Sequence, residues 1–256
     1  MRKKIACSAL TPKVGTTIYH TGPALDKGLC PAIFYFALSG EESLCQDPYN
    51  QPVQFLSDFP IRIFSISLPS HDLGLSPAEA LKSWSEDIAS NKKPTEEFIE
   101  NARFCLSYLV KEGLIEKKQL GLMGLSRGGF IASHLAAFEP DIRYILQFAP
   151  LTKLSFAKDF KNIENIASYD VHNLASYLYD RDIKIYIGNL DQRVGTENAF
   201  MFARALAQTA FAHKIRSPQV EMVITPSLGH QGHGTSPQTF KDGALWLANY
   251  LINNKR

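Results

Sequence analysis

Apolar residues along the chain follow two rhythms. Short runs bounded by Gly, Pro or Ser recur at 17–20, 32–38, 61–68, 120–123, 144–148, 183–187 and 220–224. Two of them, "AIFYFAL" and "YILQF", lack polar alternation, as suits strands buried on both faces of a parallel sheet. Between the runs lie longer segments of helical period. Over 95–112, Phe98, Ile99, Ala102, Leu106, Leu109 and Val110 share one face. Thr95 stands at the cap position, Glu96 and Glu97 occupy the positive first turn, and Gly113 follows the last turn. Further helices are expected at 127–138, ended by Pro140, at 197–210 and at 240–252. Strands alternating with helices imply right-handed crossovers, so the expected fold class is α/β: a doubly wound, mostly parallel sheet flanked by helices. With no internal repeat or low-complexity linker, 1–256 reads as a single domain.

One segment breaks the rhythm. After the strand at 144–148 comes a short insert, 151–180, carrying Phe156, Phe160, Tyr169, Tyr177 and Tyr179. It is longer than a crossover needs. It reads either as a crossover with extra packing or as a small lid or pocket wall over the carboxyl ends of the strands, where α/β folds place their sites.

Composition narrows the class. Hydrophobic content of 45% and charged content of 20% suit a globular protein with a full core. A net charge of +2 without a basic stripe gives no reason to expect nucleic acid. The cluster Lys117–Lys118, with Lys111 nearby, reads as a solvated helix end. The start, "MRKKIACSAL", pairs basic residues with an apolar patch too short for a signal h-region, and the patch meets Thr11, Pro12 and Lys13. Lys4 stands where a lipid-anchor motif before Cys7 would want an apolar residue, so neither export nor an anchor is expected. No run is long enough to span a membrane. Cys7, Cys30, Cys45 and Cys105 form no CxxC pair and read as reduced thiols of a cytoplasmic protein.

The chemistry concentrates at "LMGLSRGGFIASHLAAF", where a lone serine sits between an apolar strand and a helix. A serine hydroxyl needs a base to take its proton and donors to receive the oxyanion. A sharp strand-to-helix turn lifts the hydroxyl clear of the sheet and aims free helix N–H groups at the reacting carbonyl. Such a turn brings strand and helix so close that glycine is required two residues either side, and Gly124 and Gly128 meet that requirement. Gly124-Leu125-Ser126-Arg127-Gly128 resembles the G-x-S-x-G nucleophile elbow of the α/β-hydrolase superfamily. Around Arg127, "SRGG" is most similar to the dienelactone-hydrolase and prolyl-oligopeptidase-like branch.

The resemblance implies an acid and a histidine later in the chain, in that order. Asp191 follows the strand at 183–187 in "GNLDQRVGT", and His230 follows the strand at 220–224 in "TPSLGHQGHGT". His233 is the alternative base; His230 is preferred because it comes first after the strand and directly follows Gly229. The oxyanion hole is expected from the N–H of Arg127 and that of Gly40 or Glu41, although relatives carry His-Gly where this chain has Ser39-Gly40. His134 and His71 read as structural. His230 and His233 have no carboxylate or cysteine set beside them, so no metal and no cofactor is expected. The implied function is a serine hydrolase cleaving a small-molecule ester of short acyl chain. The alternatives are an acyltransferase or thioesterase using the same triad, or a non-catalytic binding protein on the same fold.

Overall fold

The computed structural model describes residues 5–12, 16–72 and 74–253. Arg2, Lys3, Lys4 and Lys13, on which part of the export and anchor expectation rests, lie outside them. The strands are β1 (Ser8–Leu10), β2 (Ile18–Thr21), β3 (Cys30–Phe36), β4 (Arg62–Ser65), β5 (Ile115–Leu125), β6 (Tyr144–Phe148), β7 (Asp182–Gly188) and β8 (Val220–Thr225). They form one sheet in the order β1-β2-β4-β3-β5-β6-β7-β8. β2 pairs antiparallel with both β1 and β4, and β3 to β8 run parallel. β8 closes one edge, where it has only β7 as a neighbour and leaves Ile224 56% exposed.

The helices are α1 (Gly40–Cys45), α2 (Gln51–Leu56), α3 (Pro77–Ala89), α4 (Pro94–Lys111), α5 (Arg127–Phe138), α6 (Ala175–Leu178), α7 (Thr196–Ala212) and α8 (Pro237–Asn253). The period-two geometry of strands splits the core in two. In β3, Ala32, Phe34 and Phe36 face a cluster built with Trp84 of α3, Phe98 and Leu106 of α4, Phe130 and Leu135 of α5, and Phe202 of α7. Ile33 and Tyr35 face the opposite cluster, with Leu44 of α1, Val53 of α2, and Phe240 and Leu247 of α8. Unbroken hydrophobicity in β3 thus reflects burial on both sides.

Several expectations shift. Thr95 does not cap α4: the helix starts at Pro94 with Lys93 at the cap, and the buried Thr95 hydroxyl accepts the Trp84 Nε1–H at 3.2 Å. Lys117 and Lys118 lie on β5, not on a helix end, because Gly113 (φ 67°) ends α4 and the Leu114 N–H turns back to Leu109 O. Lys117 pairs there with Asp141 at 2.5 Å. The 151–180 insert becomes 3-10 turns at Leu154–Phe156, Lys158–Phe160, Ile166–Tyr169 and Val171–Leu174, followed by α6. Leu154, Phe160, Ile166, Val171 and Leu178 anchor it in the core.

Arg62 is fully buried at the start of β4. Its guanidinium donates to Pro23 O at 3.1 Å and Gly28 O at 2.6 Å, and also to the carbonyls of Ala24 and Leu114. One cation therefore ties the β2–β3 connection and the start of β5 to β4.

Candidate active site

β5 ends at Leu125 and α5 begins at Arg127, so the whole reversal falls on Ser126, with φ 55° and ψ −115°. An L residue rarely takes this conformation unless its surroundings enforce it. Here the Ser126 N–H donates to Phe148 O at 2.8 Å, and its carbonyl accepts the N–H groups of Gly129 and Leu151 at 2.9 and 3.0 Å. The flanking glycines are a steric need. A Cβ on Gly124 would lie 2.4 Å from the Gly128 carbonyl, and one on Gly128 would lie 1.8 Å from Phe36 O. Behind the elbow, the Gln147 amide donates to Gly129 O at 3.1 Å and Ser133 Oγ at 2.6 Å, fixing the start of α5 to β6.

Asp191 sits in the turn after β7 with its side chain wholly buried. Its Oδ1 accepts the N–H groups of Arg193 and Val194, each at 3.0 Å, and its Oδ2 lies 2.7 Å from His233 Nδ1. His233 Nε2 in turn lies 2.8 Å from Ser126 Oγ. With the carboxylate as acceptor, the proton belongs on Nδ1, and the Nε2 lone pair faces the serine hydroxyl.

His230 does not reach the serine. It is exposed on a single 3-10 turn, His230–Gly232, and the expected order of the two histidines is reversed. The cause is the path of the loop. Gly229, Gln231 and Gly232 have φ of 68°, 55° and 72°, which coils the chain back on itself before it delivers His233. Gly232 packs so tightly that a Cβ would meet Leu190 O at 2.2 Å, and Gln192 N–H donates to Gln231 O at 2.9 Å. The loops carrying the acid and the histidine are therefore bonded to each other.

The Arg127 N–H opens α5, where helix geometry leaves it without an intrahelical acceptor. Gly40 and Glu41 are not brought to the site. The Ser39–Glu42 capping box starts α1 directly after β3 and turns Gly40 towards β4, where its N–H donates to Ser67 Oγ at 3.1 Å. Exposed Glu41 follows on the same first turn. Ala37 and Leu38 form the wall beside Ser126 instead, and both their N–H groups donate to Ser43 Oγ, at 3.2 and 3.0 Å.

Ser126, Arg127 and Arg193 lie between two cavities. One, of about 250 Å³, is lined by Ala37, Leu38, Tyr49, Pro77, Leu125 and Phe240 among others. The other, of about 840 Å³, is walled by the insert through Leu151, Lys153, Ser155, Phe156, Lys158 and Lys161. Of the insert aromatics singled out in the sequence, Phe156 reaches this wall, whereas Phe160 is core and Tyr177 is 60% exposed. Lys153, Lys158 and Lys161 share that wall, and no feature of the sequence had singled them out. Arg127 is only 5% exposed; its Nη1 donates to His71 Nε2 at 2.9 Å and Pro77 O at 2.6 Å. His71 Nδ1 lies 2.8 Å from Pro69 O, so both ring nitrogens are satisfied only in the neutral, Nδ1-protonated form. Burial, then the charge of Arg193, pushes the Arg127 guanidinium down to about 10.

No curated protein matches the chain in sequence. Among solved structures, a puromycin-hydrolyzing peptidase of Mycobacterium tuberculosis superposes with a TM-score of 0.71 at 15% identity, over 97% of this chain and 40% of its own. A candidate dienelactone hydrolase of Klebsiella pneumoniae gives 0.70 at 15% identity, over 98% of this chain and 100% of its own. Carboxyl esterase 2 of the fungus Tuber melanosporum gives 0.63 at 14% identity, over 96% and 87%. The chain thus spans well under half of the first of these proteins and nearly all of the other two. At such identities the likeness establishes the α/β-hydrolase fold. The prolyl oligopeptidase family profile matches residues 82–254, well over half of the chain and a span that includes Ser126, Asp191 and His233. The chain belongs to the prolyl oligopeptidase family, among the serine hydrolases of the α/β-hydrolase superfamily.

Proposed function

We propose that the protein hydrolyses small acyl esters through an acyl-enzyme on Ser126, with His233 as general base and Asp191 as its orienting acid. The observation that carries this reading is the continuous hydrogen-bonded chain from Ser126 Oγ through His233 to Asp191, at 2.8 and 2.7 Å. His233 Nε2 takes the hydroxyl proton as Ser126 Oγ bonds to the acyl carbon. It then delivers that proton to the leaving oxygen as the ester C–O bond breaks. Water repeats the sequence through His233, giving a free acid and restoring Ser126. The Arg127 N–H acts as one oxyanion donor.

The compact cavity beside Ser126, with Ala37, Leu38, Pro77, Leu125 and Phe240 in its wall, supports acyl chains of about two to six carbons. The four free thiols support a reducing, cytoplasmic setting, and among the described residues no helix is long and apolar enough to cross a membrane. Family membership favours a second substrate, a peptide-like amide, because the same triad serves both.

Turnover of 4-nitrophenyl butyrate, compared with that of an aminoacyl nitroanilide, separates the two substrates. Labelling by a fluorophosphonate probe tests the nucleophile. Ser126→Ala is expected to abolish labelling and to lower kcat on the order of 10⁶-fold while keeping the circular dichroism of the parent. Equal turnover in the variant would sink the proposal.

A further inference from the structure

Cationic side chains gather around the wider cavity out of proportion to the whole chain. With 27 Lys and Arg against 25 Asp and Glu, the protein is nearly balanced. Around this cavity Arg127, Lys153, Lys158, Lys161 and Arg193 meet a single acid, Asp159. Such a local field raises the concentration of anions and lowers that of cations.

Arg127 gives the field a fixed centre. A guanidinium taken out of water ordinarily finds a carboxylate, because an uncompensated buried charge costs several kcal/mol. The two groups that Arg127 does engage, His71 Nε2 and Pro77 O, are neutral and share one of its nitrogens. Among the described residues no carboxylate lies within ion-pair distance of Arg127 or Arg193. Asp159 favours the charge of Arg127 from beyond ion-pair distance. Arg193 compounds the excess positive charge, and the turn that presents it is fixed, since its own N–H is bonded to Asp191. Both arginines and Ser126 border this cavity as well as the narrower one, and only the wider one adds Lys153, Lys158 and Lys161. Their remaining N–H donors match the planar, two-oxygen geometry of a carboxylate.

We infer that the substrate bears a carboxylate, held by Arg127 and Arg193 in the wider cavity while its reacting carbonyl sits at Ser126. The inference rests on the hydrolase reading above. The lysines at 153, 158 and 161 steer the anion in, and the two arginines hold it.

Matched esters test this. On the acyl side, 4-nitrophenyl hydrogen adipate is compared with its methyl ester. On the leaving-group side, 4-carboxyphenyl butyrate is compared with its methyl ester. In each arm the phenol released is followed by absorbance. One of the two anionic esters is expected to exceed its neutral match by about tenfold or more in kcat/KM, chiefly through KM. The arm that responds tells which half of the substrate occupies the wider cavity. The advantage should shrink several-fold at 0.5 M salt. Arg193→Gln, and separately the triple change of Lys153, Lys158 and Lys161 to Gln, should lower the anionic-to-neutral ratio. Only Arg193→Gln should leave that ratio low at high salt, because contact is less screened than steering.

Turnover of neutral esters with no preference in either arm would overturn the inference and leave the hydrolase reading standing. Absence of turnover and of fluorophosphonate labelling would overturn the hydrolase reading. In that case calorimetric binding of monomethyl adipate, compared with dimethyl adipate, to the Ser126→Ala protein still decides whether the cavity selects a carboxylate.

Discussion

At the scale of single residues, His230 and His233 make the sharpest comparison. They differ by one turn of chain, yet only His233 bridges Ser126 and Asp191. His233→Ala should lower kcat with 4-nitrophenyl butyrate by roughly 10³-fold or more, as removal of a triad member does. His230→Ala should keep activity within a few-fold of the parent. The serine and the acid were legible in the sequence because a local steric rule and a strand end fix them. Which of the two histidines is the base was not legible, because their placement depends on left-handed turns at Gln231 and Gly232 and on a bond from Gln192. Two other histidines act on stability. Burial, and for His71 also the charge of Arg127, pushes His71 and His134 from about 6.5 to about 4. Between those values the unfolded chain binds protons that the folded one does not. Their contribution is therefore complete above about pH 6.5 and is lost as pH falls towards 4, by on the order of a few kcal/mol in all. Tm should drop between pH 7 and 5, and His134→Gln, which can still reach Tyr169 O, should flatten that slope.

Elements whose sequence period is long and uniform match their expectation: α5 runs over Arg127–Phe138, as the pattern at 127–138 required. The misses are short or context-made. β1 has three residues and exists through pairing with β2, so no periodicity could announce it. The polar 116–119 stretch of β5 bulges between the Ile115–Cys30 and Leu120–Ala32 pairs with β3, and no period announces a bulge. α3 did carry a local signal, the capping box Ser76–Glu79 with Pro77 at its first position. The elbow itself depends on two elements approaching closely. Gly128→Ala would place a methyl group 1.8 Å from Phe36 O, so α5 must move off β3. The cost should exceed the roughly 1–3 kcal/mol of ordinary overpacking. A fall in the urea midpoint, with loss of fluorophosphonate labelling in whatever folds, is the expected result.

Across the whole molecule, Arg62 is a cation that holds separate segments of chain together. Arg62→Met would strip a donor from the carbonyls of Pro23, Ala24, Gly28 and Leu114 in a buried setting. A loss of roughly 3 kcal/mol or more in urea unfolding is expected, since each unsatisfied buried carbonyl costs about 1–3 kcal/mol. The position of β8 bears on durability. His233 hangs from the last strand, which is zipped to the sheet along one side only. Edges of this kind open at lower free energy than the centre does. A transient unzipping of β8 would withdraw the histidine from an elbow that is still intact. Activity should therefore fade at urea concentrations where tryptophan emission is unchanged, and recover at once on dilution. Stapling β8 to β7 with a cross-strand disulfide would lengthen the working life of the protein without raising the melting point of its core.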